Sequence, residues 1–199
     1  MQFTNEDLCS RALGVIENSI LPLTREGVAK GNKIFGAAIL RKSDLSLVIA
    51  DTNAETQNPL FHGEIAALNS FFKLSNTGRP LPIDCIFIST HEPCSLCLSA
   101  ITWANFDNFF YFFGYDDTRD AFNIPHDLRI LEEVFNIKHG EYCKKNKFWE
   151  SKNINTMIDE IPPSNRGKLV QQAGRIKTFY AELSRIYQRS KENSGIPLS

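Results

Sequence analysis

Strand-like and helix-like segments alternate along the middle of this 199-residue chain, and that alternation limits its fold more than any other feature. Apolar runs predict four strands, at 31–40, 45–50, 85–89 and 109–113. Helical spacing of apolar residues predicts two helices between them, at 62–72 and 93–103. Strands that alternate with helices in this way indicate a layered α/β domain.

The last third of the chain has a different character. The segment 141–161 is polar and irregular, and Ser164, which follows two prolines, is expected to cap a long helix. Apolar residues of that helix alternate by four and three: Leu169, Ala173, Ile176, Tyr180, Leu183 and Tyr187. So narrow a stripe predicts a helix that lies along another surface, of its own chain or of a partner. We therefore predict one domain at 1–140 and a C-terminal extension with a long amphipathic helix at 141–199.

The charge distribution does not favour nucleic acid as the partner, although it leaves that class open. The formal net charge is −1. Residues 1–140 carry 11 Lys and Arg against 17 Asp and Glu, whereas residues 141–199 carry 11 against 6. An acidic body with a basic tail fits a contact with a polyanion, but a solvated helix is the commoner explanation.

Neither a membrane nor an oxidising compartment is expected from the sequence. No stretch is apolar for long enough to span a bilayer, and the N-terminal segment 1–6 is polar and acidic, unlike a signal peptide. The five cysteines are an odd number, which favours thiols or metal ligands over a disulfide framework. We expect a cytoplasmic protein with no membrane partner.

Two short segments carry the chemistry: His62-Gly63-Glu64 and Pro93-Cys94-Ser95-Leu96-Cys97. Cysteines at i and i+3 can point both sulfurs at one ion, and a helix N-terminus favours the thiolate form that zinc requires. His62 supplies a third ligand from the other helix. Three protein ligands leave the fourth tetrahedral position open, which distinguishes a catalytic zinc site from a structural one.

Glu64 is the predicted catalytic residue. Two thiolates cancel the charge of Zn²⁺, so water at the metal is activated less than under three neutral imidazoles, and a nearby base becomes useful. Glu64 can take a proton from that water and hand it to a leaving amine. This set of groups suits hydrolysis of a C–N bond in a cyclic amidine, with release of ammonia.

Simpler interpretations explain less of the pattern. A lone Cys-x-x-Cys fits a redox pair or half of a structural zinc site, and a lone His-x-Glu is weaker still. A Cys₄ site would need a second close pair, which Cys9, Cys85 and Cys143 do not form. A redox pair leaves the histidine and the glutamate without a role.

At these residues the sequence resembles the cytidine deaminase superfamily, whose zinc enzymes share the His-x-Glu and Pro-Cys-x-x-Cys pattern. The resemblance implies a three-layer α/β/α fold with a central five-stranded mixed sheet, and usually a homodimer. It implies that His62, Cys94 and Cys97 bind zinc and that Glu64 shuttles the proton. It also implies that Asn53 and the backbone amides of Gly63 and Cys94 contact the substrate.

Within the superfamily, the segment 90–104 looks closest to guanine deaminases and tRNA adenosine deaminases. Cytidine deaminases proper carry cysteine in place of His62, so free cytidine is less favoured. Gly63 replaces the alanine common in both relatives. By the same resemblance, Asp127 and His126 lie where guanine deaminases contact the base. The resemblance thus implies a deaminase of nucleobase metabolism that acts on a small amino-heterocycle, with a purine such as guanine favoured. The alternatives are a tRNA adenosine deaminase and a non-catalytic zinc-binding protein of the same fold.

Simple structural roles are expected for several other conspicuous residues. His91 is expected to be an exposed histidine at a strand end. Trp103 and Trp149 are expected in the core or an interface. The three cysteines outside the motif are expected to be small buried hydrophobic residues.

Overall fold

A computed structural model describes residues 3–198, so residues 1 and 2 of the polar N-terminal segment and Ser199 lie outside the described part. Within that range one sheet contains five strands in the order β2-β1-β3-β4-β5. The strands are β1 at Gly36–Arg41, β2 at Leu47–Thr52, β3 at Cys85–His91, β4 at Asn108–Phe113 and β5 at Glu150–Asn153. No helix in residues 3–198 combines the length and apolarity that a membrane span needs.

The sheet is mixed. Strand β1 runs antiparallel to both of its neighbours, with Ala38 opposite Ala50 of β2 and Ile88 of β3. The β3–β4 and β4–β5 pairs are parallel, and Ile88 pairs with Phe110. Parallel neighbours require a crossover, which a helix supplies after β3. The predicted five-stranded mixed sheet with flanking helices is therefore confirmed.

Helices cover both faces of the sheet. They are α1 at Asn5–Val15, α2 at Leu21–Ala29, α3 at Gly63–Lys73, α4 at Ser95–Trp103, α5 at His126–Phe135, α6 at Ile154–Glu160 and α7 at Pro163–Ser190. Because successive strand side chains point to opposite faces, Ala38 and Leu40 enter one core while Ala37 and Ile39 enter the other. The first core includes α1, α2, α6 and α7, and the second includes α3 and α4. This gives the three predicted layers.

Helix α7 covers a surface of its own chain. Its six-residue apolar stripe is buried as predicted and shares a core with Leu8 and Ala12 of α1. At the rim, Arg175 of α7 lies 3.2 Å from Glu17. The apolar residues that alternate by four and three in α7 therefore pack against α1 and α2 of the same chain.

The segment 141–161 is not irregular throughout, which corrects the sequence-based prediction. It contains β5 and α6, and Asn153 caps α6 by accepting hydrogen bonds from two backbone amides of its first turn. Its polar character arises because β5 is an edge strand of only four residues. The boundary at residue 140 remains a prediction, but the sheet extends beyond it.

Three helix starts differ from the prediction by one or two residues: α3 begins at Gly63 instead of His62, and α7 and α4 differ as well. Helix α7 begins at Pro163, and the Ser164 hydroxyl bonds the Asn165 side chain instead of capping the helix. Helix α4 begins at Ser95, so Cys94 and not Pro93 stands at its boundary. Proline suits the first position of α7 because that residue has no partner for a backbone N–H.

Two expectations about conspicuous residues are wrong. His91 is buried, with 3% of its surface exposed, because Phe35, Phe113, Phe122 and Tyr180 surround its ring. Trp149 is buried as expected, whereas Trp103 ends α4 and is 90% exposed, which excludes the core and leaves its place in an interface a prediction. Cys143 is exposed in the loop before β5, unlike Cys9 and Cys85.

The buried His91 ring predicts acid sensitivity. Its Nδ1 lies 2.9 Å from the Thr90 hydroxyl, and its Nε2 has no hydrogen-bond partner among the described residues. Burial holds the pKa of His91 well below its ordinary value of 6.5. The unfolded chain therefore binds a proton below pH 6.5 that the folded chain does not, and stability falls as the pH falls.

We expect His91→Phe to remove this contribution, because phenylalanine matches the aromatic surroundings and cannot titrate. Between pH 7 and pH 5 the wild type should lose about 2 kcal/mol more unfolding free energy than the variant. Urea denaturation at both pH values measures the difference. Equal losses in the two proteins would contradict a neutral buried ring.

Candidate active site

Three side chains converge where α3 and α4 begin. His62 and Cys94 occupy the N-cap positions of these helices, and Cys97 lies in the first turn of α4. The Nδ1 atom of His62 is 3.4 Å from the Cys94 sulfur and 3.7 Å from the Cys97 sulfur. The two sulfurs are 3.7 Å apart. The structure therefore brings together the three predicted ligands as a possible metal site.

These separations fit tetrahedral zinc. With Zn–S near 2.3 Å and Zn–N near 2.1 Å, the edges of a tetrahedron are about 3.6–3.8 Å. Both helix N-termini also favour negative charge on the ligands. The hydrogen bond from Cys97 and the nearby His62 hold the pKa of Cys94 well below its ordinary value, although burial opposes this. The donor set and its electrostatics thus suit Zn²⁺.

The ring of His62 lies in a negative environment. Burial alone would lower the pKa of His62, but the hydrogen bond to Cys94 and the charges of Cys94, Glu64 and Glu55 raise it to about 9. A ligating nitrogen must be deprotonated, so metal binding here releases a proton.

Glu64 is buried beside the cluster. One carboxylate oxygen accepts a hydrogen bond from the Ser89 hydroxyl at 2.9 Å, and the other lies 3.3 Å from the Cys97 sulfur. Burial raises the pKa of Glu64, and the negative charge of Cys94 raises it further. A carboxyl with a raised pKa exchanges protons more readily near neutral pH.

The cluster opens into a cavity of about 330 Å³. Its wall combines apolar side chains with a few polar ones: Lys33, Phe35, Glu55, Pro59, Leu60, His62, Cys94, Ser95, Leu96, Ile124, His126, Asp127, Ile130, Pro197 and Leu198. Pro197 and Leu198 follow α7, so the C-terminal segment contributes to the wall of its own cavity. A small organic molecule is the kind of ligand that such a cavity suits.

Asp127 lies in this wall together with His126, at the start of α5. Burial raises the pKa of Asp127 well above its ordinary value, and the negative charge of Cys94 adds to the effect. A carboxyl that keeps its proton can donate a hydrogen bond to a ligand.

Asn53 and Gly63 contact one another. The Asn53 side-chain oxygen accepts a hydrogen bond from the Gly63 backbone N–H at 2.5 Å, and its amide nitrogen donates to Glu55 at 2.8 Å. Among the described residues, neither Asn53 nor Gly63 contributes to the cavity wall. Their contacts with a substrate therefore remain predictions.

The glycine at position 63 has a steric cause. A Cβ atom built there would lie 2.6 Å from the Cα of Gly36 in β1, closer than real Cβ contacts come. Helix α3 thus begins directly against the backbone of β1.

Two tyrosines and a lysine fix the residue before the cysteine motif. The buried Glu92 carboxylate accepts hydrogen bonds from the Tyr142 hydroxyl and the Tyr115 backbone amide, and it pairs with Lys144 at 2.9 Å. The Tyr115 hydroxyl in turn donates to the Pro93 carbonyl. These contacts fasten the loop that carries Cys94 to β4 and to the segment beyond residue 140.

Sequence reasoning missed Ser89, Lys33 and Glu55. Ser89 is the first polar residue of β3 after its apolar run, and Glu55 lies two residues after Asn53 in the loop that leads to His62. The positions of Ser89 and Glu55 in the sequence could have indicated a role near the site. Lys33 lay inside the strand predicted at 31–40, whereas β1 begins at Gly36, so the sequence did not indicate that Lys33 belongs to the loop before β1.

The sequence is similar to the sequences of known deaminases. Residues 15–113 match the family model described as the cytidine and deoxycytidylate deaminase zinc-binding region. The guanine deaminase of Bacillus subtilis (strain 168) is 34% identical over 101 residues, which are 50% of this chain and 63% of that protein. The alignment thus spans less than two thirds of this relative.

Solved structures agree with the fold. The X-ray structure of guanine deaminase from Bacillus subtilis matches with a TM-score of 0.51 and 25% identity, covering 72% of this chain and 87% of that one. A structure from studies of tRNA:A34 deaminases has a TM-score of 0.45 and 18% identity, covering 66% and 92%. The second match is too distant to support an argument. Through residues 15–113, this chain belongs to the cytidine and deoxycytidylate deaminase zinc-binding family.

Proposed function

We propose that this protein is a zinc-dependent hydrolytic deaminase of a nucleobase or a similar small amino-heterocycle, with a purine such as guanine favoured. The observation that carries the proposal is the buried Glu64 carboxyl, 3.3 Å from a ligand sulfur of a His-Cys-Cys cluster that faces a cavity. The guanine deaminase relative supports the choice of a purine.

Each residue of the site has a separate role in the proposed reaction. Zinc held by His62, Cys94 and Cys97 would supply the Lewis acidity that makes water nucleophilic near neutral pH. Glu64 takes the proton from the attacking water and delivers it to the departing amine. The C–N bond breaks, ammonia leaves, and a carbonyl replaces the amine as the second proton of the water passes to the adjacent ring nitrogen. Ser89 holds the Glu64 carboxyl in place through its hydrogen bond.

Asp127 is proposed as a substrate contact. Its protonated carboxyl donates a hydrogen bond to a ring nitrogen, and the apolar wall formed by Phe35, Leu96 and Ile130 encloses the ring faces. A cavity near 330 Å³ is at the small end of ligand pockets, which range over about 300–1,000 Å³. That size favours a free base over a large substrate.

A tRNA adenosine deaminase is the second candidate. The basic balance of residues 141–199 favours it, because Lys and Arg neutralise phosphates. The acidic balance of residues 1–140 and the contribution of Pro197 and Leu198 to the cavity wall favour the small substrate. A cytoplasmic location and a homodimer belong to the proposal as well.

Zinc binding should depend on Cys97. We expect Cys97→Ser to lower the zinc content of the purified protein and weaken zinc affinity at least tenfold, because a thiolate ligand is lost. Cys85→Ser is the matched control, since Cys85 is equally buried but lies outside the cluster. Competition with a chromophoric chelator measures the zinc affinity of each variant. Equal affinities in the two variants would exclude Cys97 as a ligand.

Ammonia release should depend on Glu64. Glu64→Gln keeps the side-chain shape but cannot carry the proton, so we expect kcat to fall by about 10²–10⁴-fold while zinc content is unchanged. Coupled ammonia detection on guanine gives the rates. Unchanged rates in a zinc-loaded variant would contradict the role of Glu64 in proton transfer, and no release of ammonia above background by either protein would favour the non-catalytic interpretation.

Free bases should be better substrates than tRNA. A screen of free bases, nucleosides, nucleotides and a tRNA is expected to give turnover with a free purine that is insensitive to salt between 50 and 200 mM, conditions set by the salt response of phosphate binders. A tRNA deaminase would instead lose affinity steeply over that range as counterions are released. Turnover of tRNA alone would overturn the choice of substrate.

A further inference from the structure

A buried ion pair lies in the cavity wall outside the metal cluster. The Lys33 ammonium is 2.8 Å from a Glu55 carboxylate oxygen, and their side chains are 8% and 1% exposed. Burying two charges costs desolvation energy that their attraction does not reliably offset. Stability alone is therefore a poor explanation for this pair in a wall that is otherwise largely apolar.

Glu55 is held from several directions. Its second oxygen accepts hydrogen bonds from the Lys33 backbone amide at 3.2 Å and from the Asn53 side chain at 2.8 Å. The Nε2 atom of His62 lies 3.8 Å from the first oxygen. The carboxylate thus has a fixed position beside the metal ligands and anchors the Lys33 ammonium there.

The loop that carries Lys33 is also fixed. The Asn32 side chain donates to the Gly27 carbonyl at 3.3 Å and accepts from the Thr56 backbone amide at 2.9 Å. Gly31 has φ near +92°, a conformation that suits glycine. Lys33 therefore presents its ammonium from a defined position, and little ordering is left for a ligand to impose.

The ammonium has hydrogen-bonding capacity to spare. It carries three donors, and Glu55 is its one acceptor among the described residues. Asn53 and Gly63, the predicted substrate contacts, use their groups on each other and on Glu55. His62 and Cys94 belong to the metal cluster. Lys33 is also the only lysine or arginine in the described cavity wall, so its ammonium is the cationic donor that a ligand would meet there.

The surroundings select the kind of acceptor. Glu55 neutralises the lysine charge, and its carboxylate lies in the same cavity wall as the ammonium. A phosphate or carboxylate on the ligand would meet the negative charge of Glu55 beside Lys33 and be repelled by it. A neutral carbonyl oxygen would accept the hydrogen bond without that repulsion.

We propose that Lys33 is a specificity-determining residue that donates a hydrogen bond to a ring carbonyl of the substrate, while Glu55 acts as a positioning residue for its ammonium. The protein then selects neutral heterocycles that carry both an exocyclic amine and a ring carbonyl. This inference rests on the proposed function and specifies the substrate class at the same site.

The test uses guanine and 2-aminopurine, which carry the same amine; 2-aminopurine lacks the carbonyl oxygen and, with it, the proton on N1, so the variant below is needed to assign the difference to the oxygen. Binding is measured by calorimetry in the zinc-loaded Glu64→Gln protein, so that neither ligand is consumed and intrinsic reactivity does not enter. We expect guanine to bind about tenfold to a hundredfold more tightly, the range for a hydrogen bond to a charged donor.

In the same background, K33M combined with E55Q should reduce this preference to within about threefold. The loss should come from weaker guanine binding, with 2-aminopurine binding unchanged. The double change removes both charges, so no uncompensated charge is left buried. The matched control, K42M with D107N, removes the partly exposed Lys42–Asp107 pair far from the cavity wall and should leave the preference intact.

Two outcomes would overturn the inference alone, and a third, distinguishable from them, would refute the proposed function. Equal binding of the two purines, in a protein whose wild-type form releases ammonia from guanine, would refute the role of Lys33 and leave the proposed function standing. An unchanged preference in the double variant would do the same. No binding of either purine, together with no ammonia release from any base, would refute the proposed function itself. The comparison in the Glu64→Gln protein does not depend on whether the double variant folds.

Discussion

The contact between the first turn of α3 and the backbone of β1 determines where the site can form. Gly63 lies so close to Gly36 that a side chain at position 63 would push helix α3 away from β1. The Thr90 hydroxyl accepts from the Gly36 amide and donates to its carbonyl, which fixes this part of β1 to β3. Because His62 and Glu64 flank Gly63, their positions follow from this approach. Cys94 and Cys97 lie at the start of the neighbouring helix α4, which follows β3.

The electrostatics of the site follow from the same arrangement. Two helix N-termini point at one small volume, and their partial positive charges offset part of the repulsion between two sulfurs and a carboxylate. Each group then shifts the protonation of the others: Cys94 favours its thiolate, and that charge favours a protonated Glu64. The residues that could hold a cation therefore also raise the pKa of the neighbouring carboxyl.

The local parts of this structure were predictable, and the long-range parts were not. The Cys-x-x-Cys spacing and the apolar stripe of α7 depend on contacts within one helix, so they could be read from the sequence. The sequence also indicated strands β1–β4, because their apolar runs are long. Strand β5 was missed because four mostly polar residues at a sheet edge carry no such signal. Burial of His91 and pairing of Lys33 with Glu55 depend on which elements pack together, and the residues themselves resemble surface residues.

The sheet's use of β5, from beyond residue 140, has a consequence for fragments of the chain. Strand β4 is the run Asn-Phe-Phe-Tyr-Phe-Phe and is buried along its whole length. Without β5 its backbone would become an open sheet edge lined with aromatic side chains, the kind of surface that templates intermolecular β-pairing. The short polar strand therefore covers this edge, and a fragment of the chain that ended at residue 140 would be prone to form insoluble assemblies.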